Sequence, residues 1–179
     1  MISKTNGEID YEVKIGDKTL TALDFRLKKY DSLKRKVISE FVEGKPLDFI
    51  ETHLYDSVRY TDLVDDVFFT NEYFEVKSQL ENLGYKFVRV RNTIWDNSKT
   101  YRGINVVIEN PAGYKFELQF HTPQSLEIKD KNHVLYEMAR QDTTSLEEKI
   151  RLNKQMLINS QELNHITDCE TIESFDYLK

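Results

Sequence analysis

Lys115-Phe116-Glu117-Leu118-Gln119-Phe120-His121 alternates polar and apolar residues without a break, and a β-strand sends successive side chains to opposite faces. Phe116, Leu118 and Phe120 therefore share one face, and Glu117, Gln119 and His121 share the other. Just upstream, Asn110-Pro111-Ala112-Gly113 is a turn signal, and residues 103–109 before it again read as a strand. The two runs make a hairpin. In the first run Tyr101, Gly103, Asn105 and Val107 lie on one face, with Arg102, Ile104, Val106 and Ile108 opposite. The all-apolar face of the second strand must be core, so register forces its carboxylate, amide and imidazole to the other side. That polar row fits a solvated sheet face as well as a site, and solvated polar strand faces are the commoner case.

Working outward, residues 85–94 are rich in Val, Phe and Tyr and read as another strand, as do residues 57–64, entered through Asp56. Residues 9–15 and 18–27 read as extended segments around Gly16-Asp17. Asp31 and Ser32 are placed to cap a helix carrying Leu33, Val37 and Phe41 as one stripe, ending near Gly44-Lys45-Pro46. A helix over 71–83 repeats Phe74, Leu80 and Leu83 and stops at Gly84. Two more are predicted over 124–140 and 144–163, the latter with Leu146, Ile150 and Leu157. Strands interrupted by helices of these lengths give an α+β fold: a mixed, largely antiparallel sheet flanked by helices.

The 179 residues suit one domain spanning 1–179, with ten Tyr and ten Phe to build a core. A single cysteine, Cys169, leaves no internal disulfide and no Cys-based zinc site. No run reaches membrane-spanning length, and Met1-Ile2-Ser3-Lys4-Thr5 does not begin a secretory signal. A cytoplasmic site of action is expected, although a piece of a larger phage or secreted protein would read the same way. The net charge of −6 argues against a broad nucleic-acid-coating surface. Positive charge is concentrated instead. Arg26, Lys28, Lys29, Lys34, Arg35 and Lys36 fall within eleven residues, and Lys86, Arg89, Arg91, Lys99 and Arg102 form a second group. Such clusters in an acidic chain fit an anion pocket, but on charge alone a solvated helix face is the preferred reading.

Four segments carry a resemblance. Phe116-Glu117-Leu118-Gln119-Phe120-His121-Thr122 resembles the hydrophobic-Glu-hydrophobic-Gln-hydrophobic-Arg-Thr strand of the RelA/SpoT-type alarmone synthetases. Tyr101-Arg102-Gly103-Ile104-Asn105 is similar to that family's tyrosine segment, in the Tyr-Arg-Gly-x-Asn form of its small stand-alone or toxin-like members. The stretch from Arg26 to Lys36 resembles the segment that grips ATP phosphates. Tyr55-Asp56-Ser57-Val58-Arg59-Tyr60 resembles the Asp-hydrophobic-x-Gly-x-Arg strand entry. They stand in the family's order and cover about residues 24–140, followed by a C-terminal helical segment over 144–179. His133, in the helix after the Glu strand, sits where a histidine recurs; neither it nor His53 is assigned a metal.

The resemblance implies a nucleotidyltransferase-like fold and transfer of the β,γ-pyrophosphate of ATP to the 3′-hydroxyl of a purine nucleotide, giving (p)ppGpp- or (p)ppApp-like products. Asp56 and Glu117 would hold Mg²⁺, whose preference is for hard carboxylate oxygens, and Glu117 would assist the acceptor hydroxyl. Arg26, Lys28, Ser32, Lys34, Lys36 and Arg59 would meet the ATP phosphates. Tyr101, Asn105, Gln119, His121, Arg89 and Arg91 would meet the acceptor. Asn105 stands where synthetases have His, His121 replaces Arg, and the glycine after Asp56 is absent, so acceptor identity stays open. Pyrophosphorylation of the tRNA 3′ end and a non-catalytic nucleotide-binding module are the alternatives. A toxin would bring an antitoxin or immunity protein as partner. The chain has no His-Asp dipeptide and no length for a hydrolase domain, so synthesis is expected without degradation.

Overall fold

Residues 14–15, 18–19 and 26–178 are described by the structure, a computed structural model. A short antiparallel pair, β1 (Lys14–Ile15) and β2 (Lys18–Thr19), stands apart from the main sheet. Of the two N-terminal segments read as extended, residues 9–13 and 20–25 lie outside the described residues, and Leu27 makes an isolated antiparallel bridge to Val58. Two helices follow, α1 (Tyr30–Val42) and α2 (Leu47–Thr52), then a 3₁₀ turn at Tyr55–Ser57 and strand β3 (Arg59–Leu63). Next come α3 (Phe69–Asn82), β4 (Lys86–Asn92), β5 (Ile104–Glu109) and β6 (Lys115–His121). The chain closes with α4 (Pro123–Ala139), α5 (Leu146–Gln161), a 3₁₀ turn at Cys169–Thr171 and β7 (Phe175–Asp176).

The main sheet runs β3-β6-β5-β4-β7. β3 pairs parallel with β6 and the remaining pairs are antiparallel, so the sheet is mixed and largely antiparallel, as expected. The β5–β6 turn owes its shape to Asn110, whose Oδ1 accepts from Ala112 N (3.0 Å) and Tyr114 N (2.9 Å), and to Gly113 at φ +85°. One face of the sheet is apolar. Tyr60, Leu118, Val106 and Val90 lie in register across four strands and pack with Phe69, Tyr73, Val76 and Leu80 of α3. A bulge between Phe87 and Arg89 lets Phe87 and Val90 both enter that core while Arg89 and Arg91 turn to the opposite face.

Several sequence expectations are corrected. α1 is capped at Lys29 with no side-chain hydrogen bond; Asp31 and Ser32 fall inside its first turn. Its stripe is not core, since Phe41 is 56% exposed and no residue of α1 is buried. The buried face of α3 is Phe69, Tyr73, Val76 and Leu80, and Phe74 and Leu83 are exposed. α5 buries Leu152 and Met156, leaving Leu146 and Ile150 outside. The segment after α5 is not wholly helical, because β7 adds an edge strand to β4. Asn92 anchors that segment by donating to the carbonyls of Cys169 (2.7 Å) and Ile172 (2.9 Å). No helix among the described residues is long and apolar enough to cross a membrane.

Candidate functional site

Residues directly opposite one another in neighbouring strands share a face. The register therefore builds a second, polar face of the sheet in two rows. Arg59, Glu117, Val107 and Arg89 form one row, and Thr61, Gln119, Asn105 and Arg91 form the next. His121 extends it one step further along β6. This face is not the solvated surface that an isolated polar strand would suggest. Glu117 is 6% exposed, Gln119 3% and His121 0%. Burial this deep requires partners, and each of the three has them.

At one end, Asp56 leaves the 3₁₀ turn that the sequence places just before β3. Its Oδ2 receives Lys28 Nζ at 2.5 Å and its Oδ1 receives Lys36 Nζ at 2.7 Å. Burial alone would raise this carboxyl, but the two ammonium groups outweigh it and hold it at about 2. Arg59 connects Asp56 to Glu117. Its Nη2 lies 3.8 Å from Asp56 Oδ2 and its Nε 2.9 Å from Glu117 Oε1. Despite that distance the Nε–H is directed at no acceptor, so the contact is an ion pair without an aligned hydrogen bond. A single guanidinium reaching both carboxylates puts Asp56 and Glu117 on the same side of the sheet.

Farther along, Gln119 donates to Glu117 Oε1 at 2.6 Å and accepts from Lys129 Nζ of α4 at 3.1 Å. Lys129 was not among the residues singled out by sequence; its spacing of four from Ser125 is the signal, because both then face the sheet from α4. Burial and the neighbouring Arg59 lower its ammonium below the ordinary lysine range. Ser125 Oγ lies 2.9 Å from His121 Nδ1, and His121 Nε2 lies 3.0 Å from the Tyr101 hydroxyl, which donates to Asn105 Oδ1. With that donor committed, Nε2 carries the imidazole proton and Nδ1 accepts from the Ser125 hydroxyl, for which Thr122 O at 3.2 Å is the competing acceptor. Burial, aided by Lys129, lowers the imidazole to about 3 and keeps it neutral. Burial and the charge of Glu117 push the Tyr101 phenol above its ordinary value.

Gly103 permits this packing. A Cβ there would stand 2.5 Å from His121 Cε1 and 2.8 Å from the Tyr101 hydroxyl. The loop carrying Tyr101 is clamped from behind. Thr100 O accepts from Asn132 Nδ2 (2.9 Å) and Ser160 Oγ (2.6 Å), while Arg102 donates to Ile94 O (2.8 Å) and Ser160 O (3.1 Å). The arginine of Tyr-Arg-Gly is thus structural, its guanidinium spent on carbonyls.

The remaining expected residues are less central. Arg89 lies over the Tyr55 ring at 5.7 Å, and Arg91 is exposed at the rim of the polar face. Ser32 Oγ accepts from Arg35 at 3.3 Å. Arg26 offers its carbonyl to Arg59 N at 2.7 Å. Lys34 is exposed and lies roughly 200° around α1 from Lys36, the face turned away from Asp56. His133 is exposed, and His53 stacks on Phe49 with ring centroids 3.7 Å apart.

No group of three or more His, Cys, Asp and Glu side chains arranged around a metal occurs among the described residues. Two carboxylates on one side of a sheet still suit Mg²⁺, which commonly takes one or two protein carboxylates and fills its shell with phosphate oxygens and water.

No protein-family model matches the chain, and no curated protein matches it. Solved structures do. The smu.1046c protein of Streptococcus mutans UA159 superposes with a TM-score of 0.55 at 22% identity, over 76% of this chain and 70% of that one. Small alarmone synthetase 1 of Bacillus subtilis, solved with its product pppGpp, gives 0.52 at 21%, over 76% and 70%. A GTP pyrophosphokinase family protein of Streptococcus pneumoniae gives 0.54 at 24%, over 76% and 68%. These superpositions are of the fold: the chain has the fold of the small alarmone synthetases.

Proposed function

We propose that this protein is an ATP-dependent pyrophosphokinase that transfers the β,γ-pyrophosphate of ATP to the 3′-hydroxyl of a purine nucleotide. The observation that carries the reading is the junction of Asp56, Arg59 and Glu117, with Lys28 and Lys36 on the same carboxylate. Pyrophosphoryl transfer is mainly a matter of positioning and of neutralising charge spread over phosphate oxygens. Lys28, Lys36 and Arg59 supply that charge at one end of the polar face. Asp56 and Glu117 are the residues that would hold Mg²⁺, which would supply positive charge against the triphosphate.

Tyr101, Asn105 and Gln119 border Glu117 on the acceptor side. A purine placed on the Tyr101 ring would bring its sugar toward the Glu117 carboxylate, which then accepts the proton of the attacking hydroxyl. Burial of the row excludes water from that hydroxyl's neighbourhood. The proposal extends to a growth-inhibiting role held in check by an antitoxin or immunity protein.

Labelled ATP and Mg²⁺ incubated separately with GDP, GTP, ADP, AMP and bulk tRNA, with the products separated, tests the reading. A pyrophosphorylated purine nucleotide is expected. Label on tRNA alone would replace the acceptor, and label on none of them would leave a nucleotide-binding module.

A further inference from the structure

The Asp56–Glu117 pair is not simply open to a cation. Three cations, Lys28, Lys36 and Arg59, face two carboxylates and leave one excess positive charge. A divalent ion arriving alone meets that excess and finds both carboxylates engaged. A polyphosphate reverses the situation, because it offers acceptors to all three cations and releases the carboxylate oxygens.

Arg59 is the member best suited to exchange. It stands at one of the departures from the synthetase pattern, its side chain is a third exposed, and it contacts both carboxylates at once. Its Nε is held near Glu117 by charge and not by an aligned hydrogen bond, so leaving costs no well-formed donor–acceptor pair. Gln119 remains on Glu117 at 2.6 Å and keeps that carboxylate oriented when Arg59 departs.

We propose that Arg59 is a built-in counter-ion for the Asp56–Glu117 pair, making divalent-metal binding conditional on a bound polyphosphate. This rests on the function proposed above, and it adds an order to it: nucleotide and metal enter together. Coupling of this kind is reciprocal, so the metal tightens nucleotide binding by the same factor.

The test is a titration of the intact protein with Mn²⁺, with free ion followed by electron paramagnetic resonance, alone and with α,β-methylene-ATP. Ion held by the analogue in solution is subtracted. Wild-type protein is expected to bind Mn²⁺ at least about ten-fold more tightly with the analogue than without, a coupling of ordinary size. Arg59→Gln is expected to bind Mn²⁺ alone at least about ten-fold more tightly than wild type, and to respond less to the analogue. Arg59→Lys keeps the charge and should stay near wild type. If circular dichroism shows Arg59→Gln unfolded, Lys36→Gln removes a charge of the same cluster from a helix surface and carries the same expectation. Equal affinities of wild type and the charge-removed variant for Mn²⁺ alone, or a wild-type affinity indifferent to the analogue, overturn the proposal. Failure of the functional reading looks different: the coupling is present and no acceptor receives label.

Discussion

Tyr101 and His121 meet edge to face, with ring centroids 5.6 Å apart and planes at 89°, and the tyrosine hydroxyl lies 3.0 Å from His121 Nε2. The phenol is held at its far end, so the ring is a fixed platform and not a free side chain. Stacking on such a platform is worth about 1–3 kcal/mol per base. Tyr101→Ala should therefore raise the acceptor KM roughly ten-fold or more and leave the ATP KM nearly unchanged. Tyr101→Phe, which keeps the ring and loses the tether, should fall between. Separate KM determinations decide it; a loss confined to ATP would mean the two pockets are reversed.

Lys36 and Lys34 separate by helix face. Lys36 reaches Asp56 at 2.7 Å, whereas Lys34 is exposed on the far side of α1. Lys36→Ala is expected to raise the ATP requirement about ten-fold, the loss of one charge-assisted phosphate contact. Lys34→Ala should stay within about two-fold of wild type. Equal effects in the two variants would reduce the basic segment to general charge.

The two carboxylates should part company in stability. Asp56→Asn strands Lys28 and Lys36 in a half-buried site and is expected to cost about 1.5–3 kcal/mol, the range for hydrogen bonds to charged groups. Glu117→Gln keeps an acceptor for Gln119 and should abolish transfer with a melting temperature close to wild type. Calorimetry and an initial-rate assay on both variants check this. Wild-type turnover in Glu117→Gln would remove it from the chemistry.

Acid sensitivity should trace to His121. Its folded value near 3 lies below the ordinary 6.5, so between those limits the unfolded chain binds a proton that the folded protein refuses. Stability therefore falls as pH drops from 6.5 toward 3, by up to about 1.4 kcal/mol per unit from this group. Asp56 acts in a lower window: it is depressed from 3.8 to about 2, so its contribution is lost as pH falls through the folded value. Urea midpoints at pH 7, 6 and 5 for wild type and His121→Gln isolate the histidine. Parallel slopes would show that His121 is not the acid-sensitive group.

Lys129 is expected to matter for turnover and not for folding. Its ammonium is partly buried, repelled by Arg59, and bonded to Gln119. Lys129→Met should lower the acceptor kcat/KM at least about ten-fold, a barrier change near 1.4 kcal/mol, with an unchanged or raised melting temperature. A variant that loses stability in proportion to activity would make Lys129 a structural residue.

The hairpin was legible because two signals agreed on it: strict alternation from Lys115 to His121 and a turn at 110–113. The face carrying Glu117, Gln119 and His121 was legible for the same reason, while its burial was not, since alternation says which side a residue faces and nothing of what covers that side. Helix faces misled where apolar residues offered two registers. In α3, Phe74 and Leu83 competed with Phe69, Tyr73 and Val76, and only the packing against Phe87 and Phe120 chose between them. β7, two residues long, has no period to detect. Lys129 was hidden because a lysine on an amphipathic helix reads as solvated charge until the sheet beneath it is known.

The parallel pairing of β3 with β6 also sets when the site can exist. Arg59 and Glu117 are register partners, yet almost a third of the chain separates them, including α3, β4 and the whole of β5. The β5–β6 hairpin closes locally, whereas the parallel contact carries the loop-closure entropy of the chain between its two strands. Glu117 is therefore a stranger to the rest of the junction through most of folding, whereas Asp56 and Arg59 are three residues apart from the start. A chain that has made its hairpin but not docked β3 carries no complete junction, so activity requires the parallel pair.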